Sequence, residues 1–145
     1  MLRAGAEGET YPWGDSTRVP RNAGNYADAS LGTLEIGWEL VHSLDDGRPR
    51  LSPVGKFLAN RLGVHDLSGN VGEWCQDGYE ADYYSRSPRR DPSGPEEPAE
   101  GVVRGGSWGS SLDQLRCAAR GFLGRAESSN AVGFRTALSL RDAEE

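Results

Sequence analysis

The sequence predicts an α+β domain of irregular, loop-rich architecture with short antiparallel strands. Apolar periodicity is scarce, a single stretch has helix-face spacing, and twenty glycines and eight prolines divide the chain into short runs. Hydrophobic residues make up 36% of the chain, and four Trp and five Tyr supply bulky anchors. We therefore expect a folded core that short elements and long loops build together.

The clearest helix candidate is SLDQLRCAAR (111–120), where Leu112, Leu115 and Ala119 recur on one helical face and Ser111 or Asp113 can cap the start. Short runs bounded by Gly, Ser or Asn predict three strands. These are GWELV (37–41), VVRGGSW (102–108) and VGFRTALSL (132–140).

Three long loops separate these elements, at 16–32, 43–55 and 85–101. The last holds four of the eight prolines and a mixed charge run, which is typical of a solvated surface loop. Loops of this length in one domain usually need a ligand or a network of contacts to hold them.

Composition limits the class of protein. At 145 residues we expect one domain, spanning 1–145. The net charge of −6 and the lack of a basic stripe argue against nucleic acid as a partner. No apolar run approaches the roughly 18 residues of a membrane span, and MLRAGAEGET lacks the apolar core of a signal peptide, so the chain as given is expected to be soluble. Its localisation is otherwise open.

The stretch DLSGNVGEWC (66–75) raises the question of what Glu73 binds, because a carboxylate that enters an interior must be paired or bound to a metal. Asp66, the carbonyls of Gly69 and Val71, and Glu73 could surround a calcium ion. An ordinary capping Asp and a paired Glu explain the same residues. The spacing leaves both readings open.

Other chemistries find less support. His42 and His65 each lack a second His or Cys at ligand spacing, and RGGSWG is not a nucleophile elbow. Cys75 and Cys117 match no common zinc spacing, which leaves a pair of thiols or one disulfide.

Seven stretches occur in a particular order along residues 3 to 140. They are YPWGD (11–15), GNY (24–26), DDGRPRLSPVG (45–55), RLGVHDLSGNVGEWCQD (61–77), VVRGGSW (102–108), LRCAAR (115–120) and AVGFR (131–135). In this order and spacing they resemble the formylglycine-generating enzyme, or sulfatase-modifying factor, family, whose fold is a variant of the C-type lectin fold. The resemblance implies that the N-terminal part of the family domain is missing, and that the surface it leaves could support self-association.

The resemblance also implies two structural calcium sites. The first would use the side chains of Asn25 and Asp46 with the carbonyls of Tyr26 and Arg48. The second would use Asp66, the carbonyls of Gly69 and Val71, and Glu73. Calcium would then stabilise the loops, without a catalytic role.

The family's catalytic chemistry uses two cysteines that bind copper(I) just after the RGG-S-aromatic motif. Here that segment reads WGSSLDQLRC, so the first cysteine position falls on Ser110 or nearby and the second is lost in a shortened, cysteine-free stretch. A serine hydroxyl does not replace a thiolate toward copper(I), so no copper is expected. Gly72 also replaces an aromatic residue of the family, which should hollow the floor of the ligand pocket.

The leading hypothesis is a non-catalytic module that binds a protein or a small molecule at its C-terminal loops. It is similar to the variable proteins of diversity-generating retroelements, whose diversified residues lie in the segment from RGGSW to GFR. The corresponding positions are Trp108, Gly109, Ser110, Ser111, Gly121, Phe122, Leu123, Ser128 and Ser129. Trp108 and Phe122 would supply rigid contact area. The alternatives are an oxygen- or metal-dependent oxidase with altered chemistry, and a degenerate fragment that keeps only its calcium sites.

Overall fold

The computed structural model, which describes residues 8–32 and 39–137, contains one four-stranded sheet within those ranges. The strands are β1 (Gly72–Gly78), β2 (Glu100–Arg104), β3 (Gly121–Gly124) and β4 (Val132–Gly133). Their order is β3-β2-β1-β4, with β2 antiparallel to both β1 and β3, and β4 parallel to β1. Helical structure in the described part of the chain consists of three 3-10 helices, Ala29–Leu31, Tyr83–Ser85 and Leu112–Leu115. Loops thus form most of the domain, as the sequence predicts.

The helix predicted over 111–120 is wrong beyond its first turn. A capping box between Ser111 and Gln114 starts the 3-10 helix Leu112–Leu115, but Arg116 leaves the helical region at φ −60° and ψ 140°. The Cys117 N–H then donates to the Thr10 carbonyl at 2.7 Å. A tertiary backbone bond therefore takes a donor that an α-helix would use internally, and the chain leaves the helix.

The strand predictions succeed in part. VVRGGSW contains most of β2, which ends where Gly105 and Gly106 take positive φ, and VGFRTALSL contains only the short β4, its last three residues lying outside the described residues. In GWELV, residues 37 and 38 also lie outside the described residues, and Val41 forms an isolated bridge to Asp28.

Two strands, β1 and β3, were not predicted. Glycine stands at both ends of β1 and of β3, where a turn would be expected, yet close packing needs glycines of the sheet. A Cβ on Gly101 would lie 2.5 Å from the Trp74 ring, and one on Gly78 would lie 2.1 Å from Pro98.

The buried core is made largely of loops. One cluster contains Tyr11, Val19, Tyr26, Val41, Leu44 and Leu115, and a second contains Ala27, Leu31 and Trp108. The loop at 24–28 crosses both clusters, and the side chains of Asn25 and Asp28 are fully buried with it. A polar loop is therefore built into the centre of the domain.

Segment 51–62 carries large apolar side chains on the surface. Leu51, Val54, Leu58 and Leu62 are exposed, Val54 to 89%. Self-association, which the family resemblance predicts through a different surface, stays a prediction. None of the helices in the described ranges has the length and apolar character needed to cross a bilayer.

We predict that Gly69→Ala destabilises the domain far more than Gly63→Ala. Both glycines have nearly the same positive φ, 78° and 75°, so both variants carry a backbone strain of about 1 kcal/mol. A Cβ on Gly69 would lie 2.2 Å from the Asn25 carbonyl oxygen, whereas nothing lies within 4 Å of one on Gly63. Chemical denaturation should give an extra loss of about 2 kcal/mol or more for Gly69→Ala. Equal losses would contradict the packing described for loop 24–28.

Candidate functional site

The structure brings together the residues of the first candidate calcium site. Asp28 Oδ2 accepts a hydrogen bond from the Asp46 N–H at 2.7 Å, which joins loop 24–28 to loop 43–55. Asn25 Nδ2 donates to the Arg50 carbonyl at 2.5 Å, and Asp46 Oδ1 accepts from the Arg48 N–H at 2.7 Å. Asn25 Oδ1 and Asp46 Oδ2 remain buried with no hydrogen-bond partner among the described residues.

Two unsatisfied buried oxygens, on loops that the Asp46–Asp28 hydrogen bond joins, fit a hard cation. Burial raises the pKa of the Asp46 carboxyl to about 6, and the Asp28 carboxylate adds to the shift, although the Arg48 and Tyr26 N–H groups oppose it. A carboxylate in such a position is costly without a positive charge beside it. The oxygen donors are of the type that calcium prefers.

The second candidate site has a different partner for its glutamate. Arg135 Nε donates to Glu73 Oε2 at 2.6 Å, and Arg135 Nη2 donates to Glu73 Oε1. Arg135 also donates to the carbonyls of His65 and Asp66 at 3.1 and 2.8 Å. The bond to Glu73 raises the pKa of Arg135. The structure thus pairs Glu73 with Arg135, and calcium at DLSGNVGEWC stays a prediction.

Asp66 keeps one feature of a metal ligand. It lies in the left-handed region at φ 53°, and its Oδ2 accepts from the Gly55 N–H at 2.5 Å. Its Oδ1 is buried and lacks a hydrogen-bond partner in the described part of the chain. Because Arg135 already balances the Glu73 charge, the second site fits a cation less well than the first.

No group of three His, Cys, Asp or Glu side chains converges within residues 8–32 and 39–137. Any cation in either candidate site would depend on amide and carbonyl oxygens as well as carboxylates.

A cleft of about 340 Å³ lies beside β2, β3 and β4. Five of the nine predicted ligand-binding residues line it: Ser110, Gly121, Phe122, Leu123 and Ser129. Gly109, Ser111 and Ser128 do not line it. Phe122 is 52% exposed and stacks on Tyr79 with ring centroids 4.5 Å apart.

The prediction that Trp108 supplies contact area is wrong. Trp108 is only 4% exposed because it packs in the core with Ala27 and Leu31. Its indole N–H donates to the Asn130 carbonyl at 3.3 Å. The side chain therefore stabilises the loops beneath the cleft and does not face a ligand.

Gly72 lies on the wall of the cleft. A Cβ on this residue would come within 2.7 Å of Val103 Cγ1, so Val103 occupies the space next to it. An aromatic residue at position 72 would need this neighbour to move.

The cleft has no thiol among its lining residues. Ser110 lies in its wall, 6% exposed, and its Oγ accepts from the Ser107 N–H at 2.9 Å. Cys75 and Cys117 are both thiols; Cys117 is buried and Cys75 lines a second cleft of about 290 Å³. Burial raises the pKa of the Cys75 thiol.

Sequence reasoning missed four polar residues of the cleft, Arg104, Ser107, Gln114 and Arg120. Three of them stand inside motifs that carried the family resemblance: Arg104 and Ser107 in VVRGGSW, and Arg120 in LRCAAR. Their position in those motifs was the sequence signal that could have identified them as cleft residues.

A family described as "Sulfatase-modifying factor enzyme 1-like domain" matches residues 2–140. The chain belongs to this sulfatase-modifying factor family. The formylglycine-generating enzyme of Streptomyces coelicolor is 34% identical to it over 138 residues, which cover 93% of the chain and 42% of the enzyme. The chain spans less than half the length of the curated relatives it matches.

Two solved structures share the fold of this sulfatase-modifying factor domain. Treponema denticola variable protein 1 has a TM-score of 0.60 and 26% identity, over 78% of the chain and 34% of that protein. PvdO from Pseudomonas aeruginosa has a TM-score of 0.63 and 25% identity, over 92% of the chain and 46% of PvdO. These likenesses confirm the predicted α+β, C-type-lectin-like fold.

We predict that Glu73→Gln destabilises the domain by about 1–2 kcal/mol at pH 7, because Arg135 loses a bidentate charged partner that is 20% exposed. The control is Glu80→Gln, which removes the exposed ion pair with Arg86 and should cost less than about 0.5 kcal/mol. Urea denaturation in chelator measures both variants. A loss for Glu73→Gln no larger than that of the control would show that the Glu73–Arg135 pair does not hold β1 to the chain after β4.

Proposed function

We propose that this domain is a calcium-stabilised module that binds a ligand in the 340 Å³ cleft and performs no formylglycine chemistry. One observation carries the proposal: the cleft on the family scaffold presents the Ser110 hydroxyl, and no sulfur lies among its lining residues. Copper(I) needs soft thiolate ligands, which a serine does not replace.

The likeness to Treponema denticola variable protein 1 supports a binding role. We propose that the present chain is likewise a variable protein, whose variable positions are the loop residues predicted to bind ligand, apart from the buried Trp108. Phe122 offers rigid aromatic area at low entropic cost, and Gly121, Leu123 and Ser129 are its neighbours on the cleft wall.

The proposed calcium role rests on the buried oxygens of Asn25 and Asp46. Bound at this site with the Tyr26 and Arg48 carbonyls, calcium would supply the positive charge that these oxygens lack. An ion that binds only the folded chain stabilises it by mass action, about 2.7 kcal/mol when free calcium is 100 times the dissociation constant. The second site would use Asp66 and Glu73 with the Gly69 and Val71 carbonyls, and we expect it to be weaker.

We predict that millimolar calcium raises the melting temperature over that in excess chelator, and that Asp46→Asn abolishes most of this rise. In chelator the variant should melt within a few degrees of the wild type, because an amide keeps the bond from the Arg48 N–H and removes a buried charge. Asp45→Asn is the control, since Asp45 is exposed and accepts only from the Gly47 N–H in the described contacts. Differential scanning fluorimetry measures the shifts. The absence of a calcium shift in the wild type would overturn the calcium proposal.

We also predict that the protein leaves the cysteine of a sulfatase-type peptide unoxidised. Mass spectrometry would follow the peptide with copper(I) and oxygen present, and the Streptomyces coelicolor formylglycine-generating enzyme would serve as the positive control. A competitive copper(I) titration should show no tight site.

Formylglycine production, or a one-to-one copper(I) site lost in Cys75→Ser or Cys117→Ser, would contradict the non-catalytic proposal. That result would favour the alternative, an oxygen- or metal-dependent oxidase with altered chemistry.

A further inference from the structure

The charge of the cleft differs from that of the whole chain. The chain has 22 acidic and 16 basic residues, yet the cleft lining contains Arg104 and Arg120 and no Asp or Glu. Both arginines also line the second cleft, whose lining includes Asp77, so they stand in a wall common to the two cavities, and only the first is free of carboxylates among its lining residues. A cavity walled by cationic groups without carboxylates favours an anionic ligand.

Arg104 has no carboxylate partner among the described residues. It stands opposite Glu73 in the register of β1 and β2, where a cross-strand ion pair would be expected. Glu73 is instead bound through both oxygens by Arg135. The Arg104 guanidinium donates through one Nη to the Cys117 carbonyl at 2.8 Å, which fixes its position. The group has five N–H donors, so most of its capacity remains for a ligand.

Arg120 is held by aromatic rings. Its guanidinium carbon lies 4.8 Å from the Tyr79 ring centroid and 4.4 Å from that of Tyr84. Its one hydrogen bond within the described chain is a long one, from Nη2 to the Glu80 carbonyl at 3.4 Å, while the Glu80 carboxylate pairs with Arg86. Stacking on rings orients the cation and leaves its edge donors available.

The rest of the cleft suits a ligand with an apolar body. Phe122, Leu123 and Val132 line it, and Phe122 stacks on the same Tyr79 ring that contacts Arg120. The Ser107 and Ser110 side chains add polar groups to the lining. Apolar surface next to paired cations is the pattern expected for an amphipathic anion.

We propose that the ligand is anchored through a compact oxyanion, a carboxylate, sulfate or phosphate group, which binds to Arg104 and Arg120 while its apolar part packs on Phe122. This inference rests on the proposed binding function of the cleft, and it names the chemical class of ligand that the cleft would bind.

A matched series of small probes tests the proposal on the wild-type protein in calcium. Benzoate, phenyl sulfate and phenyl phosphate carry the three oxyanions on one ring, and benzyl alcohol and benzylamine carry a neutral and a cationic group. Amide chemical shifts of the cleft residues would give the dissociation constants. We expect at least one oxyanion to bind about tenfold or more tightly than benzyl alcohol, equivalent to about 1.4 kcal/mol. The oxyanion probe with the lowest dissociation constant identifies which of the three groups the cleft prefers.

Arginine variants locate the binding. Arg104→Gln and Arg120→Gln should each weaken the best oxyanion about tenfold and leave benzyl alcohol unchanged. Arg125→Gln is the control, because it makes the same change in net charge at an exposed residue outside the cleft lining. If Arg104→Gln does not fold after losing its bond to Cys117, the affinities of the probes for Arg120→Gln and for the wild type decide whether an anion binds in the cleft.

Equal binding of the oxyanions and benzyl alcohol, or equal loss in Arg125→Gln, would overturn the assignment of an anion while leaving a ligand-binding cleft. If no probe binds, the inference about an anionic ligand also fails. The calcium and peptide-oxidation experiments then test the proposed function independently of it.

Discussion

The whole domain depends on finding hydrogen-bond partners for a polar loop buried at its centre. The main chain of residues 24–28 is buried on all sides, and distant segments satisfy it. The Asn70 N–H donates to the Asn25 carbonyl at 2.8 Å, the Ala27 N–H donates to the Ser110 carbonyl at 3.2 Å, and the Val41 N–H donates to the Ala27 carbonyl at 2.6 Å. These hydrogen bonds fix the loops in one arrangement, so the domain needs only a short sheet to hold its fold.

The same bonds join the candidate calcium site to the cleft. Asn25 has an unsatisfied oxygen at the candidate cation site, and Ala27, two residues further along the loop, donates to the Ser110 carbonyl in the cleft wall. The Asn70 carbonyl accepts from the Trp108 N–H at 2.9 Å, and its side chain accepts from the Ser52 N–H at 2.8 Å. A cation that rigidifies loops 24–28 and 43–55 would therefore also order the backbone beneath the ligand. In the proposed module, calcium stabilises the fold and preorganises the binding site through one network.

The order of motifs along the chain was enough to predict the family and the loop-rich α+β fold. It was not enough for features decided by tertiary contacts. The helix predicted at 111–120 failed because the Cys117 N–H binds Thr10, more than a hundred residues away in sequence. Nothing in the sequence around Trp108 predicts that its side chain points into the core. Local patterns report local preferences, whereas these outcomes depend on which distant backbone groups need partners.

The charge of the cleft also depends on contacts between residues that are distant in sequence. Glu73 and Arg104 are cross-strand neighbours, and in isolation they would neutralise each other. Arg135 competes for Glu73 with two aligned bonds, and it is further held by the His65 and Asp66 carbonyls. Because a bidentate pair with extra anchoring is stronger than a simple cross-strand pair, Glu73 pairs with Arg135, and Arg104 has no carboxylate partner among the described residues. In the proposed binding mode, the ion pair at the β1–β4 edge thus leaves Arg104 available to a ligand in the cleft beside β2 and β3.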